Sequence, residues 1–173
     1  MAISGKLVGG GILAATAAFG VGVYYAQVYG YYETVALQEV ELTTLVTGEV
    51  EMIPTVGFEG IDAGSSPIRY RSCFQTELSM DLLEKTYKIF GTAEPRNAPE
   101  WFDCFDAQKI GEDLQSGVAT AFLGQENFEF GIDRIVAIYR DGRGFVWHQI
   151  NDCGDKLYDG SSASDDCPER DQQ

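Results

Sequence analysis

The sequence offers little for acid–base catalysis at neutral pH, because His148 is its only histidine. A single imidazole excludes a His-rich metal site, and any Ser-His-Asp or Cys-His catalytic unit would depend on this one residue. We interpret His148 as a hydrogen-bonded residue within a strand; the alternative is a single imidazole ligand or a proton-linked contact. No other catalytic constellation is visible, so we expect no enzyme activity, no catalytic residue and no cofactor.

Basic residues are also scarce, with 12 Lys and Arg against 27 Asp and Glu and a formal net charge of −15 at pH 7. This excess excludes nucleic acid as a partner, because the two would repel each other. Lys6 is the only charged side chain before Glu33, so the chain from Glu33 onward carries 27 acids, 11 bases and a charge of −16. We expect this part to attract basic soluble proteins; the alternative is that its charge only keeps the domain soluble.

Charge is absent altogether from residue 7 to residue 28. At a rise of about 1.5 Å per residue, these residues form a helix long enough to cross a hydrocarbon core about 30 Å thick. We predict one transmembrane helix, and because Lys6 precedes it, the positive-inside bias places the N-terminus in the cytoplasm. The alternative is a cleaved signal peptide, since residues 15–17 fit the small-x-small pattern, but cleavage there would expose the apolar residues 19–28.

Small residues recur at every fourth position of this segment, and tyrosines cluster at its outer end. The small residues are Gly10, Ala14, Ala18, Gly22, Ala26 and Gly30. The tyrosines are Tyr24, Tyr25, Tyr29, Tyr31 and Tyr32. In lipid, a row of small side chains lets another helix approach closely, so we expect a contact with an integral membrane protein. Rings with a polar tip suit the membrane surface, so we expect the tyrosines to form an interfacial belt.

The four cysteines all follow the predicted span: Cys73, Cys104, Cys153 and Cys167. An even number on one side favours disulfides and an oxidising compartment such as the bacterial periplasm. Three pairings are open; we favour Cys73 with Cys104 and Cys153 with Cys167, since the second would tie a loose C-terminal loop to the sheet. The alternative is Cu(I) bound by thiolates next to aromatic residues, but no C-x-C or C-x-x-C pair is present.

Alternation of apolar and polar residues, together with the turn residues, predicts an α+β domain with a mostly antiparallel sheet. The predicted strands cover residues 40–46, 49–53, 68–75, 118–123, 132–140 and 145–150. Two helices are predicted, one over residues 80–90 with Ser79 as its cap and one over residues 107–115 with Asp106 as its cap. The Gly, Ser and Pro content of residues 55–67 predicts a loop.

Asp141-Gly142 predicts a two-residue turn between the last two strands. This turn would place Ile138 opposite Phe145, Val136 opposite Trp147 and Ile135 opposite His148, which makes both faces of the hairpin apolar. We therefore expect a central hairpin with the two helices on one face and a second layer or a partner on the other. After it, Asp152, Asp155 and Asp159 lack the regular spacing of a calcium loop, so we predict a solvated acidic loop and no metal site.

The predicted organisation has one domain after the span. It consists of a cytoplasmic tail (residues 1–6), a transmembrane helix (7–30), a juxtamembrane link (31–39), a periplasmic α+β domain (40–168) and a flexible tail (169–173). The expected location is the bacterial inner membrane, with the C-terminal domain in the periplasm.

Three segments are fairly specific: residues 65–74 (SSPIRYRSCF), 101–107 (WFDCFDA) and 131–154 (GIDRIVAIYRDGRGFVWHQINDCG). On these segments the chain resembles an uncharacterised bacterial family of single-span proteins with a small exported domain. The resemblance runs from the span nearly to the C-terminus. It implies this topology and carries no catalytic residue onto the chain.

Our leading hypothesis is a non-enzymatic accessory or assembly subunit of an inner-membrane complex, with the respiratory electron-transport chain as the first candidate. Its acidic periplasmic domain would dock or steer a basic partner such as a c-type cytochrome. One alternative is a periplasmic copper or thiol-redox assembly factor for a respiratory oxidase, using Cys73 and Cys104. Another is an envelope binding or sensor module, whose ligand would lie against the Trp147 or Tyr139 face of the hairpin.

Overall fold

The computed structural model describes residues 4–36, 39–161, 164 and 167–168. The chain divides into two compact units, Met1–Tyr32 and Glu33–Gln173. The predicted tail at residues 169–173 lies outside the described residues, as do the first three residues of the predicted cytoplasmic tail.

The first unit is one helix, which confirms the predicted apolar N-terminal helix. Helix α1, Gly5–Tyr25, continues into a π-helical turn, Ala26–Gly30. Together they form a segment of 26 residues, none of it buried inside the protein, that is long and apolar enough to cross a membrane.

The second unit is an α+β domain whose sheets contain only antiparallel pairs among the described residues. The strands are β1 (Glu33–Val35), β2 (Val40–Thr43), β3 (Val50–Ile53), β4 (Val56–Asp62), β5 (Arg71–Gln75), β6 (Ala119–Glu129), β7 (Ile132–Tyr139) and β8 (Arg143–Ile150). Six of them form one sheet in the order β1-β4-β5-β8-β7-β6, and β2 pairs with β3 in a separate ribbon. Strand β1 lies inside the predicted juxtamembrane link.

The first predicted helix of the domain is shorter than expected. Helix α2, Met80–Thr86, starts at its predicted cap, because the Ser79 side chain accepts a hydrogen bond from the Leu82 amide at 3.4 Å. It ends four residues before the predicted end. Residues 87–90 are extended instead and lie between two strands, with Lys88 N donating to Thr43 O and Phe90 N donating to Ala121 O. A Tyr-Lys-Ile-Phe run suits such a β position better than a helix end, since aromatic and β-branched side chains favour strands.

The predicted loop at residues 55–67 was wrong, because β4 occupies Val56–Asp62. The Gly, Ser and Pro content had predicted a loop, but two of the glycines, Gly57 and Gly60, lie within this strand. Here Gly57 has a positive φ of 64° at an irregularity in the pairing with β5, which is where a strand accepts glycine. The next predicted strand, residues 68–75, begins late, since a 3₁₀ turn covers Pro67–Arg69 before β5.

The predicted register of the central hairpin was also wrong by one residue. Ala137 lies opposite Phe145 and Ile135 opposite Trp147. The loop between β7 and β8 has three residues, 140–142, with Gly142 N donating to Tyr139 O at 3.0 Å and Gly142 at a φ of 87°. This is a type I turn followed by a left-handed glycine, and the extra loop residue shifts every cross-strand pair.

The two helices of the domain lie on opposite faces of the sheet, which corrects the expectation of one shared face. Helix α2 and the β2–β3 ribbon cover one face, where the buried core residues are Val40, Leu42, Ile53, Tyr70, Phe74, Met80, Leu83, Tyr87, Phe122, Val136, Ile138 and Val146. Helix α3, Ala107–Gln115, packs on the other face, where Tyr139 donates to the Asp113 carboxylate at 2.8 Å. We call these faces the core face and the α3 face.

Both disulfides favoured from the sequence are present. Cys73 is bonded to Cys104 with Cα atoms 6.3 Å apart, and Cys153 to Cys167 with Cα atoms 5.5 Å apart. The first ties the segment before α3 to strand β5. The second ties the chain after β8 back to the domain.

Candidate functional site

Two neighbouring residues of β7, Asp133 and Arg134, carry charge into the interior of the domain. Successive side chains of a strand point to opposite faces of the sheet, so the two residues lie in different environments. Arg134 shares the core face with His148, which lies directly opposite it on β8. Asp133 lies opposite Gln149 and shares the other face.

The first environment, which we call the arginine cluster, consists of Arg134, His148, Tyr70, Phe128 and Glu41. The Arg134 guanidinium lies over the Phe128 ring at 4.2 Å from its centroid, and its Nε donates to His148 Nε2 at 3.2 Å. Its Nη1 donates to the Glu41 carboxylate at 3.4 Å. The arginine side chain is 13 % exposed and that of Glu41 31 %, so the carboxylate lies at the solvent edge of the cluster.

The His148 ring is held from both sides within this cluster. It stacks on Tyr70 at 4.8 Å and on Phe128 at 4.7 Å, and Pro67 O lies 2.7 Å from its Nδ1. Since Nε2 accepts from Arg134, the ring proton lies on Nδ1, which donates to Pro67. Burial lowers the pKa of His148 to about 4, and the nearby Arg134 acts in the same direction. The imidazole is therefore neutral at physiological pH, and both of its nitrogens are occupied.

The second environment, which we call the acidic pocket, is a cavity of about 510 Å³ beside Asp133. Its lining is polar and includes five acidic side chains and one arginine: Phe90, Thr92, Glu94, Arg96, Glu126, Asn127, Asp133, Gln149, Ile150, Asn151, Asp152, Cys153, Asp155 and Ser164. These residues come from the connection at residues 90–96, from strands β6, β7 and β8, and from the chain after β8. Asp133 is the most buried acidic residue of the lining, at 5 % exposure.

Asp133 is fixed by donors on one of its two carboxylate oxygens. The Asn127 amide and the Asn151 side-chain amide both donate to Oδ1, at 2.9 and 2.6 Å. Burial raises the pKa of Asp133, and these two hydrogen bonds oppose that rise. The carboxylate is therefore desolvated without full compensation.

The walls of the acidic pocket are tied together by side-chain amides. Asn151 Oδ1 accepts from the amides of Cys153 and Gly154, at 3.0 and 3.2 Å, which turns the chain immediately after β8. Gln149 accepts from the Glu94 amide at 2.7 Å and donates to Thr92 O at 2.9 Å, which holds the connection after residue 90 against the strand. The pocket is thus formed by ordered, hydrogen-bonded segments.

We did not predict the acidic pocket from the sequence, although we had noted two of its acidic residues. Asp152 and Asp155, which we predicted to lie in a solvated acidic loop, line the pocket, whereas Asp159 accepts hydrogen bonds from Ser161 in a turn of its own. Among the described residues no group of three or more His, Cys, Asp or Glu is placed to hold a metal ion. The Ile-Asp-Arg order of β7 was the available signal, since it puts a carboxylate in an otherwise apolar central strand.

The face proposed for a sensor ligand is covered by the protein itself. Trp147 is fully buried and Tyr139 is 4 % exposed. The Phe105 ring packs edge-on against the Trp147 ring, with their centroids 6.3 Å apart. The Tyr139 hydroxyl donates a hydrogen bond to the Asp113 carboxylate of α3. No ligand can reach the Trp147 and Tyr139 rings without displacing α3 and the segment before it.

The small residues of α1 do not lie on one straight line. Four residues advance an α-helix by about 400°, so the row turns by about 40° at each step. Ala14, Ala18 and Gly22 share a narrow face, whereas Gly10 and Ala26 lie further round the helix. Of the tyrosines, Tyr25 and Tyr29 stack at 5.6 Å across the start of the π-helical turn.

Comparison with curated proteins and with solved structures finds no match. The model of one protein family matches residues 40–168, which is most of the chain and includes both disulfides. The chain therefore belongs to the family of unknown function DUF6446.

Proposed function

We propose that this protein is a non-enzymatic accessory or assembly subunit of a membrane complex, bound through its N-terminal helix. In this proposal the helix spans the bacterial inner membrane, the N-terminus is cytoplasmic and the domain is periplasmic. The acidic domain binds or steers a basic protein partner. The observation that carries the proposal is the separation of charge along the chain: one charged side chain before Glu33, and a net charge of −16 from Glu33 onward.

The charge supports a basic partner. An acidic domain held at a membrane surface raises the rate at which basic proteins meet it, and the effect falls as salt screens the charges. Respiratory complexes that exchange electrons with a c-type cytochrome are the first candidates under this proposal.

The helix supports a partner inside the membrane. A segment that only anchors a domain needs an apolar surface, whereas the face of Ala14, Ala18 and Gly22 also permits close backbone approach. The two disulfides support an oxidising compartment for the domain.

A copper or thiol-redox assembly factor is the second candidate, and the cysteines argue against it. Cys73 is 8 % exposed and its sulfur is bonded to Cys104. No free cysteine is present among the described residues. Copper binding would require prior reduction of a buried disulfide, so the structural role of Cys73 and Cys104 is the better supported one.

Variants of the helix test the proposal. We expect Ala18→Leu or Gly22→Leu to separate the protein from its complex while leaving it in the membrane, because the larger side chain prevents close helix contact. Gly20→Leu is the matched control, since residue 20 lies about 200° from both positions. The measurement is capture through a C-terminal tag after mild detergent extraction. Equal recovery of the complex with Gly22→Leu and Gly20→Leu would contradict the proposal.

A further inference from the structure

Strand β3 is the last strand at one end of a sheet that is longer than its six named strands. Residues 87–90 connect β2 to β6 through the bridges Thr44–Tyr87 and Ile89–Phe122, so the β2–β3 ribbon continues the sheet beyond β6. Among the described residues β3 pairs only with β2. Its other side, which we call the β3 edge, is therefore a template on which a further strand can form.

The β3 edge consists of the backbone groups of Val50 and Met52. In an antiparallel pair, residues that exchange hydrogen bonds alternate with residues whose N–H and C=O groups point away from the partner strand. The Thr43 carbonyl points away from β3, since it accepts from the Lys88 amide at 2.9 Å. Its cross-strand partner Val50 therefore points its own N–H and C=O away from β2, and Met52, two residues on, does the same.

These backbone groups have no partner in the part of the chain that the structure describes. The side chains beside them are also accessible, with Val50 41 % and Met52 60 % exposed. Alternate residues of a strand share a face, so the two side chains form an apolar strip along the open backbone. At the tip of the ribbon this apolar surface continues with Leu45 and Val46, which are exposed as well.

The charge around the β3 edge is negative. Residues 33–68 contain seven carboxylates and no Lys or Arg. The carboxylates are Glu33, Glu39, Glu41, Glu49, Glu51, Glu59 and Asp62. Glu49 and Glu51 are exposed at β3 itself, although Glu51 lies near the Tyr87 hydroxyl. Lys88 lies on the far side of β2 and forms an ion pair with Glu126.

This charge decides between two kinds of strand that could pair with the edge. A second copy of the chain would bring the same carboxylates to the interface, and like charges on neighbouring strands oppose pairing. A basic segment gains attraction at the same positions. The two faces of β3 differ in the same way: Val50 and Met52 lie on one face and Glu51 on the other, which matches a strand that alternates apolar and basic residues.

We propose that the β3 edge binds an extended segment of a basic protein, which adds to the sheet as a further strand. The N–H and C=O groups of Val50 and Met52 form the main-chain hydrogen bonds. Apolar side chains of the segment pack on the Val50–Met52 strip, and its Lys or Arg side chains meet the carboxylates. The basic partner of the proposed function is the source of this segment, and the inference rests on that function only for the source.

The first arm of the test measures binding of a fluorescent peptide to the full-length protein in neutral detergent micelles, by fluorescence anisotropy. The probe alternates lysine and valine over about six residues, the length of an ordinary strand. A second probe has the same residues with every backbone amide N-methylated, which removes the donors of a strand and keeps its charge. We expect the first probe to bind about tenfold or more tightly than the second, because the main-chain hydrogen bonds are lost.

Two substitutions at one position test the edge on the protein itself. Val50→Pro removes the outward N–H and no hydrogen bond of the β2–β3 pair, which is the situation in which an edge strand accepts proline. Val50→Thr is the matched control, because it keeps the N–H and the β-branched shape. We expect Val50→Pro to weaken binding of the lysine–valine probe by about fivefold or more, and Val50→Thr by about twofold or less.

Three results would overturn the inference. The first is equal binding of the two probes to the wild type, or no binding of the lysine–valine probe, and this comparison needs no variant. The second is equal weakening by Val50→Pro and Val50→Thr, with both variants folded by circular dichroism. The third is a wild-type dimer that Val50→Pro converts to a monomer, since a second copy would then occupy the edge.

The second arm captures the membrane complex through a C-terminal tag on the same two variants. Loss of a soluble basic protein with Val50→Pro alone identifies that protein as the source of the segment, whereas equal recovery with both variants overturns this assignment. Failure of probe binding with intact capture rejects the β3 edge and leaves the proposed function standing. Probe binding by a wild-type protein that captures no complex rejects the proposed function and leaves the edge.

Discussion

Asp133 and Arg134 are consecutive in the chain, and their surroundings differ in one decisive respect. The arginine cluster joins a guanidinium to a carboxylate of opposite charge and to a neutral ring nitrogen, from Glu41 to His148. The acidic pocket leaves Asp133 Oδ2 without a donor among the described residues, beside a cavity. The first arrangement stabilises the fold through paired charges, whereas the second leaves a carboxylate oxygen facing a cavity.

The hydrogen bonds of the arginine cluster also decide between the two interpretations of His148, a hydrogen-bonded strand residue or a ligand or proton-linked contact. A ligand or proton-linked role would need an open nitrogen or a pKa near neutrality. Instead both nitrogens are occupied and burial lowers the pKa to about 4. The interpretation as a hydrogen-bonded strand residue is the one that the geometry supports.

The largest effect should come from breaking the arginine cluster. We expect Arg134→Ala to lower the free energy of unfolding by about 3 kcal/mol, because it leaves the buried His148 nitrogen without its donor and removes the guanidinium that packs on Phe128. The measurement is urea denaturation of the full-length protein in micelles, followed by tryptophan fluorescence.

The control for that variant is Arg143→Ala. Arg143 also forms an ion pair and stacks on an aromatic ring, but its side chain is 51 % exposed. An exposed pair contributes about 0.5 kcal/mol or less. Equal losses for the two variants would show that the arginine cluster is not the stabilising unit described here.

A smaller effect should appear in the pH dependence of the free energy of unfolding. His148 and Asp133 change this free energy in opposite directions as pH falls. The unfolded chain protonates His148 near pH 6.5 and the folded domain only near pH 4, so stability falls as pH drops through this window, by roughly 3 kcal/mol at most. Asp133 has a raised pKa, so the folded domain binds its proton first and gains stability as pH falls.

Two variants separate these contributions. We expect His148→Phe to reduce the loss of stability between pH 6.5 and pH 4, because it removes the group whose pKa is lowered by folding. We expect Asp133→Asn to increase this loss, because it removes the group whose pKa is raised by folding. Unfolding free energies measured at half-unit pH steps provide the comparison. A pH slope of His148→Phe equal to that of the wild type would refute the assignment of a neutral, buried imidazole.

The parts of the fold that were predictable from sequence are those fixed by local signals. Ser79 and Asp106 cap helices as predicted, because capping depends on a side chain and an amide three residues apart. Gly117 follows α3 with a φ of 73°, the left-handed position that ends many helices.

The errors arose where distant contacts outweighed local preference. The run after Thr86 leaves the helix because β2 and β6 supply its hydrogen bonds, which no local pattern shows. The hairpin register depended on whether the loop has two or three residues, and Asp-Gly fits both. The acidic pocket unites residues 90–96 with strands β6 to β8 and the chain after them, so Asp133 gave no local sign of its neighbours.

Attachment to a membrane complex is the central proposal, and native gel electrophoresis of gently solubilised membranes tests it most directly. The protein, detected through a C-terminal tag, should migrate with a complex much larger than itself. The Gly22→Leu variant should migrate as the free protein in the same membranes. Migration of the wild-type protein on its own, at a size that Gly22→Leu does not change, would contradict the account.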